Sequence, residues 1–144
     1  MKLPWWLPFG EVPEIDGQEL QARLQGSPTP QIVDVRTTAE WRRSRIAGAI
    51  SVSVTKLKDR LASLALDPDR PVVAICLSAH RSIPAVRLLR AQGFDACQLS
   101  HGMQAWWRAG LPVEGESQGG DGPTSGGPAP KRRGLRVCFR GPIG

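Results

Sequence analysis

The run Cys76-Leu77-Ser78-Ala79-His80-Arg81-Ser82 holds the residues best placed to do chemistry. A cysteine ends the most apolar short stretch of the chain, Pro71 to Cys76, and a loop then leads directly into a predicted helix. Loop N–H groups next to a helix start face anions, because the helix dipole places partial positive charge there. Arg81 adds a full positive charge five positions after Cys76. A thiol in such surroundings is expected to ionise easily and to act as a nucleophile. The backbone N–H groups of Leu77, Ser78, Ala79, His80 and Ser82, together with the Arg81 side chain, are the expected anion cradle. His80 lies inside the loop, either as an acid or base or as a solvent-facing residue that lends only its backbone.

The elements around this loop follow from local patterns. Asp16 and Glu19, three apart, form a capping-box pattern before a short helix with Leu20 and Leu24, which Gly26 stops. Gln31 to Val35 is β-branched and bounded by Pro30, so a strand is predicted. Thr37 and Glu40 make a second capping box, opening a short helix with Trp41. Ala49 to Val52 reads as a strand. Thr55 is a candidate cap for a helix with Leu57, Leu61 and Leu64 on one face. Pro71 to Cys76 is apolar without alternation, as expected of a strand covered on both faces. Ser82 to Gln92 is a helix closed by Gly93, with Pro84 tolerated in its first turn. Asp95 to Leu99 is another short strand, and Met103 to Ala109 a last helix before Gly110 and Pro112.

Strands alternating with helices predict an α/β domain with a mainly parallel sheet. Ligand sites in such sheets lie at the carboxyl ends of strands, where Cys76 stands. Asp34 and Arg36 end a neighbouring strand and are expected to support the site. Arg36 has Glu40 four residues on as a candidate ion-pair partner, and Asp34 is placed to hold nearby backbone.

Four segments resemble the single-domain rhodaneses, which are thiosulfate or persulfide sulfurtransferases. Ile32 to Trp41 is similar to the family's first signature and Arg45 to Ile50 to its second. Cys76 to Ser82 is similar to the active-site loop, and Leu99 to Val113 to the C-terminal signature. The resemblance implies a three-layer fold, with about five mainly parallel strands flanked by helices. It also implies sulfur transfer through a persulfide on Cys76, from an anionic donor such as thiosulfate to a thiol or protein acceptor. The chain departs from the family at Arg45 and Ala47, where His and Pro are usual, and at His101, where Gly is usual. Ala79 stands where Gly is common, and a left-handed backbone there would be strained.

Composition narrows the alternatives. The chain has 144 residues, 40% of them apolar, enough for one domain with a core and too short for two enzymes. Three cysteines are too few for a disulfide scaffold. The net charge of +6 divides evenly: residues 1–114 carry 14 basic and 11 acidic side chains, and residues 115–144 carry 5 and 2. Nucleic acid is therefore not the expected partner, since the basic tail run is only Lys131-Arg132-Arg133. Residues 1–11 read as an N-terminal arm and 12–114 as the domain. Residues 115–144 read as a Gly/Pro-rich linker and basic tail, expected to be disordered. The N-terminus offers neither a secretory signal nor a membrane span, so a cytoplasmic location with no membrane contact is expected.

Cys97 is expected to be plain core, while Cys138 in the tail could be a second thiol in a relay. The His and Cys spacing suits no zinc site, so neither metal nor cofactor is expected. Two other function classes remain open. One is a cysteine phosphatase or arsenate reductase, which carries one more residue between Cys and Arg than the four found here. The other is a rhodanese-like interaction module with little catalysis.

Overall fold

A computed structural model describes residues 11–115. The arm and tail readings, with Cys138, lie outside the described residues, apart from their boundary positions Glu11 and Gly115. Among the described residues five strands are present: β1 (Glu14–Ile15), β2 (Gln31–Asp34), β3 (Ile50–Ser51), β4 (Val72–Ile75) and β5 (Ala96–Leu99). The helices are α1 (Gly17–Leu24), α2 (Thr38–Arg43), α3 (Val54–Arg60), α4 (Ser82–Ala91) and α5 (Gly102–Arg108). The sheet order is β1-β5-β4-β2-β3, and every pairing is parallel. The expected α/β sheet flanked by helices is therefore present, with β4 at its centre.

The two-residue period of β4 divides its side chains between two cores. Val73 and Ile75 join Leu20, Met103 and Trp106 on the face covered by α1 and α5. Val72, Ala74 and Cys76 join Leu57, Val86 and Leu89 on the face covered by α3 and α4. Both faces of β4 are buried, which is why its sequence is apolar without alternation. Cys97 is buried with the α1/α5 face, but it is disulfide-bonded and so is not the plain core residue expected.

Several local expectations change. β1 has no sequence signal of its own; it forms by pairing Glu14 and Ile15 with Gln98 and Leu99. The first capping box is half made: Asp16 accepts from Glu19 N at 2.7 Å, but the Glu19 side chain turns forward to Arg23. The second is complete, with Thr37 and Glu40 bonding reciprocally. Thr55 caps nothing. The third helix starts at Val54, after Ser53, whose hydroxyl meets that of Thr55 at 3.1 Å. The predicted leucine face is also interrupted, because Leu61–Leu64 tightens into a 3₁₀ turn.

Candidate active site

Two hydrogen bonds fix the end of β4, where the candidate nucleophile sits. Met103 N donates to Cys76 O at 2.8 Å, and Gln104 N donates to Leu77 O at 3.1 Å. The first amides of α5 thus grip the carbonyls at the start of the cysteine loop. Gly102 makes this approach possible. A Cβ there would collide with Cys76 O and stand 2.6 Å from Leu77 C, and the residue has φ +62. Only glycine meets both demands.

The loop itself is tight. Ala79 adopts φ 66, so a residue with a Cβ holds left-handed backbone here. His101, the other departure beside the site, is likewise left-handed at φ 57. The N–H groups of Leu77 to Arg81 donate to no acceptor among the described residues. His80 is exposed and its Nδ1 lies 3.0 Å from Ser78 Oγ, a contact made on the solvent side.

Cys76 is 1% exposed, and its Sγ lies 3.4 Å from Ser82 Oγ. Ser82 therefore contributes its side chain to the site, beyond the backbone role read from sequence. Its hydroxyl donates to Gln98 Oε1 at 2.6 Å, and Gln98 Nε2 donates to Glu14 Oε1 at 2.8 Å. Neither Gln98 nor Glu14 was singled out from the sequence. Gln98 lies inside an apolar strand and Glu14 on a strand that only pairing creates.

The ion pairs correct another expectation. Glu40 does not pair with Arg36. Glu40 receives Arg81 through two parallel bonds, Nη1 to Oε1 at 3.0 Å and Nη2 to Oε2 at 3.1 Å. That Arg81 hydrogen bond holds the Glu40 carboxyl down at about 2; burial opposes the shift, and the Thr37 hydrogen bonds and the Arg81 charge reinforce it. The same bond to Glu40 raises Arg81, with burial opposing; the charges of Glu40, Cys76 and Asp34 add to the rise. Arg36 instead turns back to Asp34, with Nη2 to Oδ2 at 2.6 Å and Nε to Oδ1 at 2.9 Å. Asp34 also takes Arg36 N at 3.1 Å, and Arg36 reaches Ser44 O at 2.7 Å and lies 5.9 Å from the centre of the Trp107 ring. Asp34 and Arg36 thus hold each other at the end of β2.

Arg45 has a structural use. It stacks 4.1 Å above Trp41, and its backbone exchanges hydrogen bonds with Glu114, which its side chain also meets at 3.2 Å. Arg42 and Arg43 are exposed on α2. Among the described residues, no group of three or more His, Cys, Asp or Glu could hold a metal ion. No described helix is long and apolar enough to cross a membrane.

A parallel α/β sheet with a cysteine loop between its central strand and a helix defines the class, and comparison with known proteins gives the family. The model for the rhodanese-like domain matches residues 16–109. The chain belongs to the rhodanese family. It is 35% identical over 103 residues to a sulfurtransferase of Allochromatium vinosum, covering 71% of this chain and 94% of that protein. It is 40% identical over 97 residues to the HTH-type transcriptional regulator Rv0324 of Mycobacterium tuberculosis, covering 66% of this chain but 41% of the regulator. Among solved structures, a rhodanese-like domain protein from Staphylococcus aureus superposes with TM-score 0.64 at 32% identity, covering 74% of this chain and all of that one. The rhodanese-related protein of Thermoplasma volcanium superposes with TM-score 0.65 at 25% identity, covering 72% and 98%. The family and the sulfurtransferase relatives support a sulfurtransferase-like role.

Proposed function

We propose that residues 12–114 form a sulfurtransferase that carries sulfane sulfur as a persulfide on Cys76. The observation that carries this reading is the Cys76 loop itself. A free thiol ends the central strand, five N–H groups beside it have no protein acceptor among the described residues, and a guanidinium stands at the loop's end. With thiosulfate as donor, the Cys76 thiolate attacks the outer sulfur. A new S–S bond forms, the bond to the sulfonate sulfur breaks, and sulfite leaves with the electron pair. The persulfide anion then rests against the loop amides, as developing charge does in an oxyanion hole. A thiophilic acceptor attacks the outer sulfur and releases the Cys76 thiolate, so the kinetics are ping-pong. The loop is one residue shorter than that of cysteine phosphatases, and the burial of Cys76 favours a donor that presents a single sulfur atom.

Arg81 has a conditional part. Its fork is held by Glu40, so an anionic donor competes with Glu40 for it. The acceptor is a small thiol or a protein thiol, and a reducing cytoplasm, which keeps Cys76 free, is part of the reading. No cofactor, nucleic acid or membrane takes part in it. The test is thiocyanate formation from thiosulfate and cyanide by the wild type and by Cys76→Ser. Turnover confined to the wild type is expected; equal turnover by Cys76→Ser would remove the cysteine from the mechanism.

The similar region in a transcriptional regulator favours a second reading, a module that receives sulfur or a partner without turning over. Single-turnover sulfur loading with no release to cyanide or thiols would select it.

A further inference from the structure

The chain of contacts Cys76–Ser82–Gln98–Glu14 runs from the candidate nucleophile through the buried interior to the rim of the sheet. Ser82 is fully buried and Gln98 is 3% exposed, so neither can exchange its partners with water. Glu14 and Gln98 are register partners on the adjacent strands β1 and β5, which places them side by side.

Donor and acceptor counting fixes the direction of every bond. An ionised carboxylate only accepts, so Gln98 must turn its NH₂ towards Glu14. Its carbonyl oxygen then faces Ser82, and the Ser82 hydroxyl, with one proton to give, gives it to Gln98. Only lone pairs of Ser82 Oγ remain to face Cys76 Sγ. The Ser82 hydroxyl then has no proton left to give to the sulfur.

We propose that Glu14 and Gln98 are positioning residues that set the polarity of the Ser82 hydroxyl and so withhold its proton from the Cys76 sulfur. The relay leaves stabilisation of the thiolate to the loop amides and Arg81. The proposal rests on reading Cys76 as the reactive thiol, but its test needs no sulfur donor. The other charges about the sulfur are Arg81 with its partner Glu40, and the Asp34–Arg36 pair at the end of β2. His80 and His101 are exposed at the loop and before α5. None of these groups bonds to Gln98 or Ser82.

The experiment follows ultraviolet thiolate absorbance against pH, with the signal of the matching Cys76→Ser protein subtracted. In Gln98→Met the Ser82 hydroxyl is released to donate to the sulfur. The midpoint should fall by about one pH unit, the size of one hydrogen bond to a charged group. In a Ser82→Ala background, Gln98→Met should then produce no fall, which a merely structural effect would not reproduce. Glu14→Gln should lower the midpoint by less, because Gln98 can then turn its NH₂ to Ser82. An unchanged or raised midpoint in Gln98→Met, or an equal fall without Ser82, overturns the proposal. If Gln98→Met does not fold, Glu14→Gln decides: a fall supports the relay and an unchanged midpoint refutes it. Failure here leaves the sulfur-transfer reading standing, and failure of sulfur transfer leaves this titration readable.

Discussion

Two arginine–carboxylate pairs stand near the cysteine loop, and they are built for different tasks. Asp34 and Arg36 are each 1% exposed, while the Glu40 and Arg81 side chains are 30% and 38% exposed. Both pairs are forked. The first is closed on all sides, bonded also to Ser44 O and to Arg36's own N–H. The second joins a loop to a helix and can open without exposing a buried charge. Geometry alone does not separate a fixture from a latch; burial does, because removing a partner from a buried pair strands the other charge out of water.

The largest test of the contrast is Arg36→Ala. It leaves Asp34 buried and unpaired, and should cost about 3–5 kcal/mol of stability by chemical denaturation. A loss within about 1 kcal/mol would mean that this pair is no fixture. Arg81→Ala should do the reverse. Stability should change by less than about 1 kcal/mol, while KM for thiosulfate rises roughly tenfold, equivalent to about 1.4 kcal/mol. Glu40→Gln, which frees the guanidinium, should lower that KM, and a rise would show that Glu40 orients Arg81 instead of competing for it.

Acid sharpens the comparison further. The Glu40 carboxyl lies at about 2, below its ordinary 4.5. A lowered folded value means that the stabilisation is complete above 4.5 and is lost as pH falls towards about 2. Stability measured across that window should fall less steeply in Glu40→Gln than in the wild type. The smallest effect concerns the loop between the two pairs. Ala79→Gly relieves a left-handed Ala and should raise stability by about 0.5–1 kcal/mol, read as a higher midpoint of denaturation.

The same contrast separates what the chain's order reveals from what only folding creates. Cys76 and Arg81 were legible because the loop is contiguous, and β4 and α4 because continuous apolar runs and Gly/Pro punctuation are local signals. The Arg36–Glu40 expectation failed for a physical reason. A four-residue spacing brings side chains together within a helix, but α2 begins at Thr38, after Arg36. Asp34 and Arg36 lie two apart at a strand end, where that spacing shares a face. The Glu40–Arg81 pair, the Gly102 contact and the Gln98–Glu14 relay join residues from separate elements. No local pattern marks them.

The central claim is that Cys76 carries the transferred sulfur, and intact mass spectrometry tests it most directly. After incubation with thiosulfate and removal of excess donor, the wild type should gain the mass of one sulfur atom. The gain should disappear on adding cyanide, and Cys76→Ser should show none. A wild type that gains nothing, or a Cys76→Ser protein that gains the same sulfur, would contradict the account.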